Sequence, residues 1–265
     1  MGIRDLFLAF LILASIGTSL IVAYYKYASK KGNKYVPSGY TDSILEFSRS
    51  TYIMFVFFAL LHLFILEKFV VPTGSMIPSL LVGDYVLVNK YHYGVTLPFV
   101  NKTIYKNNAI KRGDIIVFQD PYLVTAPEKS RDMVFIKRVI GVPGDKIRYK
   151  NKTVYINDEP LNKTFLERVE GKFNNLKFPV RKFEEEIDGS KHLIQLNYGI
   201  DSEMTDIVVP EDFYFCLGDN RDNSKDSRYM GLIHRDLVVG RASFLFFSWD
   251  TDSFSPRWNR IGQRL

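Results

Sequence analysis

Met133-Val134-Phe135-Ile136-Lys137-Arg138-Val139-Ile140, closed by Gly141-Val142-Pro143-Gly144-Asp145, is dense in β-branched and aromatic residues up to a turn imposed by Gly and Pro. Such a run reads as a strand. Just beyond it, Ile147–Lys150 and Thr153–Asn157 flank Asn151-Lys152 as a hairpin. Upstream, Asp84–Lys90 and Asp114–Phe118, the latter behind an Arg112-Gly113 turn, repeat the pattern. Val208–Leu217 and the long apolar Leu237–Phe247 continue it downstream. Short strands separated by turn residues predict a mainly β domain. The segment at about 161–207 breaks the pattern, because it is charged, carries Glu184-Glu185-Glu186 and alternates poorly. It reads as an insertion on the β core, with the acid run a solvated face that lacks metal-ligand spacing.

Strand alternation puts Lys137 on one face with Phe135 and Val139, and Arg138 on the other. An ammonium on an apolar face is costly, and desolvation lowers a lysine pKa from about 10.4 toward neutrality, where the free amine is a base. The alternative is an edge lysine whose head snorkels to water. A base needs a nucleophile, and Val71-Pro72-Thr73-Gly74-Ser75-Met76-Ile77-Pro78 offers one. Two prolines stiffen a turn after a hydrophobic segment. Gly74 is able to take the positive φ that lets backbone N–H groups converge, so that Ser75 lies beside a ready oxyanion site. The same cluster also reads as a plain turn. None of His62, His92, His192 or His234 has a recognisable triad context, so Ser-His-Asp is not supported.

Leu6–Tyr25 is an uncharged, mostly apolar run. At about 1.5 Å per residue it is long enough as a helix to cross about 30 Å of hydrocarbon. A cleaved signal peptide would be shorter and would have a basic start, which Asp5 spoils. A second span is expected at about 50–66, between Arg49 and Glu67-Lys68, short enough to need snorkelling flanks. The intervening loop at 26–49 holds Lys26, Lys30, Lys31, Lys34 and Arg49, and the positive-inside rule makes it cytoplasmic. The chain therefore divides into a membrane anchor over 1–68 and an outer domain over 69–265. A net charge of +6, dispersed among acidic residues, argues for a lipid surface and against nucleic acid. Trp249, Phe254 and Trp258, interleaved with Arg257, Arg260 and Arg264, suit such an interface. A single cysteine, Cys216, forms neither an intramolecular disulfide nor a cysteine zinc cluster and reads as a small buried hydrophobe.

The polar loop Gly218-Asp-Asn-Arg-Asp-Asn-Ser-Lys-Asp-Ser-Arg-Tyr-Met-Gly231 has to be held by its own hydrogen bonds. Taken with Pro72–Pro78, Gly83-Asp84, Arg112-Gly113-Asp114 and Ile136–Asp145, in this order behind two apolar segments, it resembles bacterial type I signal peptidase, the membrane-bound leader peptidase with a Ser/Lys dyad. The resemblance is close over Val71–Asp145 and Val208–Ala242 and slight over the insertion. It implies a coiled, barrel-like antiparallel β domain on the extracytoplasmic side of the bacterial cytoplasmic membrane, no cofactor or metal, and signal-peptide-bearing preproteins as partners, and leaves oligomeric state open. It implies Ser75 as nucleophile and Lys137 as general base, with the Thr73 hydroxyl joining the Ser75 N–H in the oxyanion hole. Ser224 would orient the lysine amine, and Asp219, Arg221, Asp226 and Arg228 would pair with one another to hold Ser224. Met76, Phe135 and Ile136 would line pockets for small residues at positions −1 and −3 of the substrate. Two other readings stand beside it. A self-cleaving repressor would need a DNA-binding helix-turn-helix in place of the apolar segments. A membrane-anchored, non-catalytic β domain that binds or assists envelope proteins would leave Lys137 at an ordinary pKa and the 218–231 loop away from Ser75.

Overall fold

In the computed structural model the described residues are 3–30, scattered positions between 43 and 57, and 66–97, 102–123, 134–173, 176–199 and 203–265. They form two compact units, Met1–Leu66 and Glu67–Leu265. In the first, helix α1 (Ile3–Lys30) carries the Leu6–Tyr25 stretch. Side chains are described along it only from Leu13 onward, and among the described residues no helix is long and apolar enough to cross a membrane. The second expected span lies largely outside the described residues, as does His62; the described positions between 43 and 57 are helical.

The second unit is built almost wholly of antiparallel strands. After β1 (Leu66–Val70) come a 3₁₀ turn at Gly74–Met76, β2 (Asp84–Asn89), β3 (Gly94–Leu97), β4 (Lys102–Lys106), β5 (Ile115–Gln119) and β6 (Val134–Gly141). The hairpin β7 (Lys146–Lys150) and β8 (Thr153–Ile156) turns at Asn151 and Lys152, both at positive φ, and leads to β9 (Glu159–Pro160). Then follow β10 (Lys163–Phe173), β11 (Leu176–Ile187), β12 (Ser190–Asn197), β13 (Met204–Val208) and β14 (Phe213–Leu217). A single helical turn α2 (Ser227–Met230), β15 (Ile233–His234), β16 (Val238–Asp250) and β17 (Ser255–Pro256) complete the unit. The main sheet runs β1-β2-β16-β5-β6-β14-β15, so β16 lies between the early strand β2 and the central β5.

The central strands are buried on both faces. In β5, Ile115 and Val117 feed a core with Met76, Leu80, Val86, Val88, Ile136 and Leu245, while Ile116 and Phe118 feed a second with Val139, Cys216 and Ile233. In β6, Ile136 joins the first core, and Phe135 and Val139 the second, as period-two alternation requires.

Two sequence expectations are corrected here. Val208–Leu217 is not one strand: Pro210 and Asp212, the latter at φ 60°, break it into β13 and β14. The 161–207 segment, whose structure the sequence leaves open, is a three-stranded antiparallel sheet, β10-β11-β12, followed by β13. Its alternation is obscured because a bulge between Phe165 and Glu167 shifts the side-chain period. Nor is the acid run a solvated face. Along β11, Glu184 and Glu186 point outward, whereas Glu185 is fully buried.

Candidate active site

Ser75 sits in the middle of the Gly74–Met76 turn, which Thr73 enters in extended conformation with no capping bond from its hydroxyl. The turn is closed by Ile77 N–H donating to Gly74 O at 3.2 Å and anchored by Met76, which is buried in the first core. Gly74 is not at positive φ, contrary to expectation. A Cβ there would meet Ile77 Cδ1 at 2.9 Å, a contact with the far end of a side chain that a small shift of Ile77 relieves. Thr73 is exposed and Ser75 half-buried.

From β6, Lys137 brings Nζ within 2.7 Å of Ser75 Oγ and 3.0 Å of its neighbour's carbonyl, Ile136 O. The side chain is 2% exposed and its amine lies 5.5 Å from the Phe135 ring centroid. Burial lowers its pKa to about 8, against the smaller opposing pull of Asp226, Cys216 and Asp219. Lys137 therefore exists partly as the free amine near neutral pH. In that form its lone pair accepts the Ser75 O–H, while an N–H donates to Ile136 O.

The 218–231 loop packs directly against this pair. Gly218 is required by contact: a Cβ would come within 2.4 Å of Ser75 O and 2.3 Å of Ser224 Oγ. Asp226 accepts from Gly218 N–H at 3.1 Å and from Arg228 Nε at 2.8 Å, and Arg228 Nη2 donates to Arg221 O. The expected pairing of the four charged loop residues with one another is corrected in part. Asp219 pairs instead with Arg138 of β6, at 2.9 and 2.7 Å, and Arg221 pairs with Glu185 of β11. Both charges are buried, and each finds a partner on a neighbouring strand. Ser224 Oγ is buried and forms no hydrogen bond among the described residues, so the expected bond to Lys137 is not made; the amine is directed to Ser75 Oγ and Ile136 O.

Sequence reasoning did not single out Asn220. Its backbone N–H donates to Ser75 O at 3.1 Å and its side-chain amide to Gly74 O at 2.9 Å, which clamps the turn that carries Ser75. Arg138 and Glu185 were also passed over as site residues. Alternation on β6 and β11 was the available signal for both. Cys216 is buried beside Lys137, and burial pushes its thiol up, away from nucleophilic character.

The family model described as "Signal peptidase, peptidase S26" matches residues 44–249. The chain belongs to the peptidase S26 signal peptidases. Among relatives, a signal peptidase I of Buchnera aphidicola subsp. Schizaphis graminum is 34% identical, over 87% of this chain and 86% of that protein. One from Pseudomonas fluorescens is 33% identical, over 83% and 78%. The crystal structure of a signal peptidase I from Enterococcus faecalis V583 is 28% identical over 51% of this chain and 98% of that one, with a TM-score of 0.30. Membership of peptidase S26 makes the chain a serine endopeptidase that cleaves signal peptides, and removes the readings as a repressor or as a non-catalytic binding domain.

Proposed function

We propose that Ser75 and Lys137 form the dyad of this signal peptidase, and that the enzyme is membrane-bound and cleaves preproteins after small residues at positions −1 and −3. The observation that carries the reading is the 2.7 Å contact between a half-buried serine and a buried lysine of lowered pKa. In the first half-reaction Ser75 Oγ bonds to the scissile carbonyl carbon as its proton passes to Lys137 Nζ. The developing oxyanion is assigned to the Ser75 N–H and the Thr73 hydroxyl, the two donors that the resemblance implies. The resulting ammonium then protonates the departing amine, and the C–N bond breaks. In the second half-reaction the neutral amine takes a proton from water as its oxygen attacks the acyl carbon; the ester C–O bond then breaks and the ammonium returns that proton to Ser75 Oγ, which restores the hydroxyl and the free amine.

Met76 and Ile136 pack in the first core on one face of β6 and Phe135 against the second on the other, and it is the family resemblance that assigns these apolar side chains to pockets for small residues. The uncharged helical stretch Leu6–Tyr25, and the apolar run at about 50–66, support a two-span anchor with the β domain outside the cytoplasm.

The test is cleavage of a preprotein with Ala at −1 and −3 by the wild type, Ser75→Ala and Lys137→Arg. Each substitution is expected to reduce kcat by at least about 10⁴-fold, because nucleophile and base act as one unit and a guanidinium keeps its proton. Leu at both substrate positions should be refused by the wild type. Turnover by either variant would remove the dyad, and cleavage after Leu would remove the pocket assignment.

A further inference from the structure

The sheet β10-β11-β12 carries the counter-ion of a catalytic-loop cation. Arg221 is fully buried and donates from Nη1 to Glu185 Oε1 at 2.8 Å and from Nη2 to Glu185 Oε2, while His192 Nε2 lies 3.2 Å from that same oxygen. Burial alone would raise the Glu185 pKa, but Arg221 and then His192 outweigh it and hold it at about 2, so the carboxylate stays charged wherever the enzyme works. An arginine so deep in the protein keeps its place only with such a partner.

One residue earlier, the backbone faces two ways. Toward β12, Gln195 N–H donates to Asp219 O at 2.9 Å and Arg221 N–H to Gln195 O at 3.2 Å; toward the nucleophile, Asn220 makes its two bonds to Ser75 O and Gly74 O. A second link runs from Ser79 Oγ to Leu193 O of β12 at 3.3 Å. The hydrogen-bonded path from the inserted sheet to the Ser75 turn is continuous.

From this geometry we propose that Glu185 is a positioning residue of the catalytic centre: by fixing Arg221 it sets the register in which Asn220 holds the Ser75 turn against Lys137. The proposal rests on the Ser75/Lys137 reading. Its test measures kcat and KM separately on one preprotein with the purified full-length enzyme, alongside the thermal unfolding midpoint. Glu185→Gln is expected to lower kcat by about 100-fold, the scale of a small misplacement of reacting groups, with KM nearly unchanged. The double variant Glu185→Leu/Arg221→Met replaces the ion pair with apolar groups. It should bring the midpoint back toward wild type while kcat stays low. Recovery of kcat together with the midpoint would make the pair a stability element only and overturn the proposal. Wild-type kcat in Glu185→Gln, or failure of both variants to fold, would do the same. Turnover surviving Ser75→Ala would instead remove the dyad on which the proposal stands.

Discussion

Lys137 carries the largest energetic conflict in the site, because it must be buried to be a base and burial is what destabilises its charged form. Its pKa falls from 10.5 to about 8 on folding. Below about pH 8 both folded and unfolded chains hold the proton and the cost is fully present. Between about 8 and 10.5 only the unfolded chain holds it, so stability rises with pH across that window. The difference amounts to up to about 3 kcal/mol. Lys137→Met should therefore raise the thermal midpoint at pH 7 by several degrees while abolishing turnover, and the gain should shrink above pH 10. An unchanged midpoint would mean that the lysine is solvated. The same pKa sets the acid limb of wild-type kcat/KM, expected near pH 8 with about a tenfold fall per unit below it. A limb below pH 7 would implicate another group. Lys137 was legible in the sequence because its neighbours on the same strand face, Phe135 and Val139, are apolar. Glu185 is harder to read, because Glu184 and Glu186 flank it with the same charge and only Phe183 and Ile187, two residues to either side, mark its inward face.

At the scale of elements, the catalytic loop is held less by itself than by the strands beside it. Asp219 is fixed by Arg138 of β6, Arg221 by Glu185 of β11, and Asp222 by Lys152, whose Nζ donates to it at 2.9 Å. The motif 218–231 therefore predicts a structured loop, but its partners are distant in sequence and only pairing register brings them near. The central strands were readable for the opposite reason: β5 and β6 are locally apolar, and their edges are marked by Gly113, Gly141 and Pro143. Asn220 is the element's contact with the nucleophile. Asn220→Ala removes the 2.9 Å bond to Gly74 O but keeps the backbone bond to Ser75 O, so kcat should fall about tenfold with the fold intact. Asn220→Asp should do worse, because a carboxylate would then face the Gly74 carbonyl. Wild-type kcat in both variants would show that the clamp is not needed.

For the whole molecule, the remaining question is where the site works relative to the bilayer. In the β unit, Phe254 and Trp258 are 80% and 73% exposed, and Phe244 and Phe246 of β16 are also exposed, with Arg257 and Arg264 nearby in sequence. Aromatics and arginines together suit the headgroup region. The proposed second span ends at about Leu66, nine residues before Ser75, so the nucleophile is no farther than about 30 Å of fully extended chain from it. The actual reach is shorter. Residues Leu66–Val70 are β1, paired to β2, and Glu67 is buried in an ion pair with Lys90 at 2.8 Å. A signal peptide that spans a bilayer presents its cleavage site close to the same surface, so on the proposed two-span anchor enzyme and substrate would meet without the substrate leaving the membrane. A rigid helical spacer of several turns inserted immediately before Leu66 leaves β1 and its pairing in the sheet, and lifts the site away from the surface. In bilayers, cleavage of a membrane-inserted preprotein should then fall by about tenfold or more, while a short soluble peptide is cleaved at nearly the original rate. Equal losses on both substrates would mean that the spacer damages the site itself, and equal retention would mean that distance from the bilayer does not matter.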